Sequence, residues 1–169
     1  MKVFIKTSDI ETFPKRANSD DIGLDLISRT DPVIVGQKIK IKDIDYFESI
    51  DYIEYDTEVT FAAQAPFYAL IFPRSSLSKY NLSLCNSVGV IDPGYRGNVK
   101  VRFNYNFQPQ DLISQRGKIY GKVNEEKIYK KGDKICQLIW TTENSPILEY
   151  VDKLPPSDRG IGGFGSTGY

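Results

Sequence analysis

The 169-residue sequence contains no histidine. Imidazole acid–base catalysis, Ser-His-Asp triads and His-ligated zinc are therefore excluded. Cysteine is scarce: Cys85 and Cys136 stand far apart and form no C-x-x-C pair. They are expected to be free thiols of a reducing compartment, used as small core residues. Charge of one sign is also missing, because 22 basic and 22 acidic residues cancel to a formal net charge of zero. A general nucleic-acid binder would carry a basic excess, so no nucleic-acid partner is expected. No apolar run approaches the roughly 18 residues of a membrane helix, so no membrane partner is expected either. The start, MKVFIKTSDIETFPK, has no apolar signal-peptide core, and the chain reads as intracellular, cytoplasmic or nuclear. Finally, no segment of ten or more residues shows a clean helical stripe.

What the sequence does have is alternation. Val99, Val101, Phe103, Tyr105 and Phe107 alternate with Lys100, Arg102, Asn104 and Asn106, the pattern of a half-buried strand. Ile39 and Ile41 alternate with lysines in the same way. Apolar, β-rich runs at 33–35, 58–62, 68–72, 134–140 and 147–151 add further strands, punctuated by Gly, Pro, Asn and Asp. One short helical turn is expected over 75–80, with Ser75 able to cap it. Many short strands without intervening helices predict an all-β jelly roll, sandwich or barrel. Residues 42–56 and 108–131 are polar and charged. They are expected to be solvated hairpins or loops at the periphery.

Five stretches are richer in glycine and polar groups than a core requires: SDDIGLDLIS (19–28), PRSSLSKYNL (73–82), NSVGVIDPGYRGNV (86–99), GDKICQLI (132–139) and RGIGGFGSTG (159–168). Asp25 sits between two leucines, either a hydrogen-bonded turn carboxylate or a functional one. Arg74, Ser75 and Ser76 are either a helix cap or an anion site. Asp92 opens a turn after an apolar run, where a carboxylate is costly without a task. Gln137 interrupts an apolar strand and must find partners there. The tail contains G-x-G-x-x-G at Gly160, Gly162 and Gly165. It has no following helix and no lysine, so it is neither a dinucleotide-binding turn nor a P-loop. Its arginine, hydroxyls and exposed glycine N–H groups suit phosphates, and Phe164 suits a base.

In this order and spacing the five stretches resemble the five motifs of the homotrimeric dUTPase family, over nearly the whole chain. The resemblance implies a jelly-roll domain at 1–158, with a flexible lid at 159–169. It also implies a homotrimer whose active sites are shared between subunits. The implied reaction is magnesium-assisted hydrolysis of dUTP to dUMP and pyrophosphate, which keeps uracil out of DNA and supplies dUMP for dTTP synthesis. Asp25 then matches the aspartate that holds the hydration shell of Mg2+, the metal itself being held mainly by substrate phosphates. Arg74, Ser75 and Ser76 match phosphate contacts, and Gln137 matches a group near the α-phosphate. Asp92 matches the general base. Asn86, Val90 and Tyr95 match the nucleoside site. Arg159, Phe164, Gly165, Ser166 and Thr167 match the closing tail, with Phe164 stacking on uracil. Two alternatives stay open: a dCTP deaminase-like enzyme of the same fold, whose proton-shuttle glutamate would fall where Arg102 stands, and a catalytically silent regulatory relative.

Overall fold

The computed structural model describes residues 2–158, 160 and 161. The described chain is almost all strand: β1 (Phe4–Lys6), β2 (Leu24–Ile27), β3 (Val33–Ile41), β4 (Ile44–Asp56), β5 (Thr60–Ala62), β6 (Phe67–Pro73), β7 (Leu82–Leu84), β8 (Gly89–Ile91), β9 (Lys100–Tyr105), β10 (Leu112–Gln115), β11 (Lys118–Gly121) and β12 (Lys134–Thr142). The expected single helical turn is present as a 3-10 helix, Ser75–Lys79, beside three shorter ones at Ile10–Thr12, Pro109–Asp111 and Glu125–Lys127. Ser75 is not its cap. Arg74 occupies that position with extended backbone and gives no side-chain cap bond.

The strands form a jelly-roll arrangement of antiparallel sheets. One sheet runs β2-β12-β6-β8; a second runs β10-β11-β4-β9-β7 with β3 on β4; β1 and β5 pair separately. Alternation explains the core. On β9, Val101, Phe103 and Tyr105 turn inward while Lys100, Arg102 and Asn104 stay exposed. Tyr55, Phe103 and Tyr129 meet at ring separations of 5.6–6.1 Å, and Tyr55 donates its hydroxyl to the Tyr129 carbonyl at 3.1 Å. Burying each such ring contributes roughly 2–3 kcal/mol. Burial pushes the Tyr129 hydroxyl up to about 12, so it stays neutral.

Four expectations need correction. Residues 42–56 do start at a hairpin tip, but they are not peripheral, because Ile44–Asp56 is one strand and its last third carries the fully buried Ile53 and Tyr55. The polar residues that suggested a loop lie on its solvent half. Residues 108–131 do contain a surface hairpin, β10–β11, but Val123, Ile128 and Tyr129 belong to the core. Asp111 anchors that hairpin, accepting from the Tyr105 hydroxyl at 3.0 Å and the Gln108 N–H at 2.8 Å. The run 147–151 is not a strand: it pairs with nothing among the described residues, and Ile147, Leu148 and Tyr150 are almost fully exposed. Cys136 is a core thiol, but Cys85 is exposed.

The hairpins β3–β4 and β10–β11 have two-residue tips, Lys42-Asp43 and Arg116-Gly117. All four tip residues have positive φ, from 49° to 77°, as a type I′ turn demands. For the three that are not glycine this conformation costs about 1 kcal/mol each.

Candidate active site

Four of the motif side chains stand on successive strands of one sheet. Asp25 lies on β2, Gln137 on β12, Arg74 just past the end of β6 and Val90 on β8. Register places Gln137 directly opposite Asp25 and beside Phe72. Along the other edge of β6, Val90 faces Leu70 and Ile91 faces Ala69. Asp92 therefore emerges next to Tyr68, six residues before Arg74. At about 3.3 Å per residue that is roughly 20 Å along the strand. The sheet thus carries two separate groups of motif residues, one near each end.

The first group is charged and closed. Asp25 is only 5% exposed, rather than a surface turn carboxylate. Arg74 donates through Nε to its Oδ1 at 3.0 Å and reaches Ser76 Oγ through Nη1 at 3.2 Å. Lys134 Nζ lies 2.9 Å from Asp25 Oδ2, off the line of a directed hydrogen bond. Burial by itself would push the Asp25 carboxyl up, but the charges of Lys134 and Arg74 outweigh it and hold the group below the usual carboxylate range. Sequence reasoning missed Lys134. Simple alternation turns it away from Gln137 and Asp25, but the pairing of β12 with β2 slips between Lys134 and Cys136. A one-residue slip moves a side chain to the other face. Adjacent fully buried Ile135 and Cys136 are the structural mark of that slip.

The second group is open and largely apolar. Asn86, Val90, Asp92 and Tyr95 line one cavity of about 430 Å³, floored by Ile71, Leu84 and Val101. That volume lies within the range of small-molecule sites. The segment that crosses from Leu82–Leu84 in one sheet to Gly89–Ile91 in the other forms one wall. A Cβ on Gly89 would sit 3.3 Å from Asn86 Nδ2, so a side chain there would crowd the asparagine. Tyr95 folds back over Gly97 and donates its hydroxyl to the Asn98 carbonyl at 3.0 Å. Any Cβ at Gly97 would meet that hydroxyl at 2.4 Å. Asp92 is exposed at the rim, so within one chain it is not desolvated as its apolar neighbours suggested. Val90 is 60% exposed, an apolar wall awaiting a cover.

The cavity also holds residues that sequence reasoning did not assign: Glu54, Lys100 and Arg102. Glu54 takes Lys100 on one carboxylate oxygen and Arg102 on the other, both at 2.8 Å. Arg102 in turn stacks over Tyr52, 4.0 Å from the ring centre. Glu54 was hidden because its segment read as a solvated hairpin or loop. Register Glu54↔Arg102 is the signal that brings it in. Arg102 is thus engaged in an ion pair at the position where a deaminase glutamate was considered.

Neither Asp25, Arg74, Ser75, Ser76 nor Gln137 lines this cavity. Arg159, Phe164, Gly165, Ser166 and Thr167 lie outside the described residues. Among the described residues no cluster of three acidic or cysteine side chains could cage a metal ion, and no helix is long and apolar enough to cross a membrane.

Comparison with known proteins places the fold and the family. The family model described as dUTPase matches residues 10–168. The deoxyuridine 5'-triphosphate nucleotidohydrolase of Mus musculus is 34% identical, over 98% of this chain and 83% of its own. That of Escherichia phage T5 is 30% identical, over 97% of both chains. Among solved structures, a dUTPase variant of Staphylococcus bacteriophage 80alpha with dUpNHpp superposes with a TM-score of 0.71 at 22% identity, over 99% of both chains. A variant from phage phi11 of S. aureus, described with a structural Mg(II) ion, gives 0.61 at 21% identity, over 90% of this chain and 98% of its own. With the motif residues arrayed on one sheet of the matching fold, and a family match over nearly its whole length, the chain belongs to the dUTPase family.

Proposed function

We propose that the chain hydrolyses dUTP to dUMP and pyrophosphate, as a homotrimer in which each active site is assembled from several chains. The observation that carries this reading is the separation on one sheet: Asp92, beside Tyr68 at one end of β6, lies roughly 20 Å along the strand from Arg74 at the other, and none of Asp25, Arg74 and Gln137 lines the cavity. One nucleotide cannot span a base at its α-phosphorus and an arginine that far away. A site built from the cavity of one chain and the charged cluster of another removes the distance.

The cavity takes the nucleoside. Backbone donors and acceptors of the segment from Asn86 to Asp92 read the uracil edge, and a rigid backbone refuses the thymine methyl. Tyr95, held by its bond to Asn98, packs against the sugar where a ribose 2′-hydroxyl would go. Asp92 at the rim polarises water for in-line attack on the α-phosphorus. Such a base contributes about 10²–10⁴-fold. Arg74, oriented by Asp25, Ser75 and Ser76 meet the phosphates, and Gln137 lies near the α-phosphate. The tail, with Arg159, Phe164, Gly165, Ser166 and Thr167, closes over the bound nucleotide. No covalent step is needed, so positioning and electrostatics carry the acceleration.

The residues suit a magnesium ion held mainly by the substrate. Asp25 is held ionised by Arg74 and Lys134 and would help to hold the ion's water shell, while no protein cage is present among the described residues. Bound magnesium would neutralise phosphate charge during the attack.

The direct test is pyrophosphate release with magnesium across dUTP, dTTP, dCTP and UTP. Selective turnover of dUTP is expected. Ammonia release from dCTP, or no turnover at all, would overturn the proposal in favour of a deaminase or a silent relative.

A further inference from the structure

The hairpin tip at Lys42-Asp43 and the segment 108–131, which the catalytic reading leaves without a role, meet in space. Strand β11 pairs with β4 through Gly121 and Phe47. The two hairpin ends lie side by side and enclose a notch of about 390 Å³, lined by Ile39, Lys40, Ile41, Lys42, Gln115, Arg116 and Tyr120. None of these residues lines the nucleoside cavity.

The charge in this notch is unbalanced. Neighbouring cations on the same hairpins are paired, Lys118 with Glu48 at 2.7 Å and Lys38 with Asp45. Among the described residues, Lys40, Lys42 and Arg116 have no acidic partner within ion-pair distance. Two of them stand at a conformational disadvantage. Lys42 and Arg116 each take the first central place of a type I′ turn, at φ 49° and 51°, where asparagine or glycine is favoured. Local folding alone would not choose long cations there. Backbone held in a disfavoured region points toward use. Two turns from distant parts of the chain share this feature and face the same notch.

We propose that this notch is a second anion site, separate from the active site, for a compact polyphosphate. Three unpaired cations around a small volume match the three to four charges of a tripolyphosphate group. A polymer such as nucleic acid would need a continuing basic stripe. Here the flanking lysines are neutralised and the whole chain carries no net charge. The polyphosphate is either free inorganic anion or the tail of a nucleoside triphosphate. In the second case Tyr120, half-buried on the notch wall, offers a face for the base.

The test is calorimetric titration of inorganic tripolyphosphate into the full chain with the catalytic sites filled by dUpNHpp. One further site per chain is expected. Lys42→Asn with Arg116→Asn removes two charges but suits the left-handed turns. That variant should keep its melting temperature and its dUTP turnover while tripolyphosphate binding weakens at least about tenfold. Arg116→Lys alone should largely retain binding. Equal affinity for tripolyphosphate and ATP assigns the site to the bare anion. Tighter ATP binding that is lost in Tyr120→Leu assigns it to a nucleotide. Absence of a second site in the parent, or undiminished binding in the double asparagine variant, would overturn the proposal. Either result stands apart from the hydrolysis reading, because the variant touches none of its residues.

Discussion

The two ends of the β2-β12-β6-β8 sheet solve opposite problems. At one end Asp25 is buried and locked between Arg74 and Lys134. At the other, Asp92 stands exposed at the mouth of an apolar cavity. The first carboxylate is committed to orienting cations and cannot easily take up a proton. The second is free to meet water and substrate. Two carboxylates on one sheet are given different tasks by their surroundings alone, and each end lacks what the other supplies.

The sharpest way to break this contrast is at the open end. Asp92→Asn should keep the fold and nucleotide binding while dUTP turnover, read as pyrophosphate release, falls about 10²–10⁴-fold. Near-normal turnover would remove Asp92 as the base. Removing residues 159–169 should leave the melting temperature unchanged and also collapse hydrolysis; normal turnover would make the tail dispensable. The separation of the two ends can be tested by mixing. Asp92→Asn and Arg74→Ala chains, each inactive alone, should recover about one quarter of parental activity when unfolded and refolded together, since random assembly unites an intact cavity with an intact cluster at that frequency. No recovery would mean that each site is built within one chain.

At the closed end the expected effects are on stability. Asp25→Asn leaves Arg74 and Lys134 facing a neutral amide. Because both cations are partly solvated, a loss of about 1–3 kcal/mol in denaturant unfolding is expected. The pH dependence has a definite sign. The folded pKa of Asp25 is depressed, so its contribution is fully present above the unfolded value of about 3.9 and fades as pH falls through the folded value. Acid unfolding of Asp25→Asn should therefore be less steep than that of the parent; identical profiles would show that the carboxylate is not ion-paired. The smallest effect belongs to the support of Tyr95 in the cavity wall. Gly97→Ala should displace Tyr95 and raise the KM for dUTP severalfold with little change in melting temperature, as checked by initial rates.

Much of this was legible in the sequence. Alternation at 99–105 gave β9 its inward and outward faces, because side chains on a strand alternate whatever surrounds them. Asp25, Arg74, Asp92 and Gln137 could be picked out because polar groups interrupt apolar runs or open turns, whereas Asn86 and Tyr95 were assigned only through the resemblance to the dUTPase motifs. The places where the reading failed share a cause. Residues 42–56 looked like a peripheral hairpin or loop because most of β4 is wet, and only pairing with β9 buries Ile53 and Tyr55. The run 147–151 looked like a strand because it is apolar, yet a strand also needs a neighbour.

By itself the sequence determined the all-β class, the absence of imidazole chemistry, and the membership of each chemical group in a short local motif. These depend on residue type and spacing along the chain. The tertiary structure alone decided that Lys134 turns onto Asp25, that Glu54 joins Lys100 and Arg102 in the cavity wall, and that Arg74 and Asp92 stand at opposite ends of one sheet. Each depends on strand register and one slip in pairing, which are set by contacts between residues far apart in sequence.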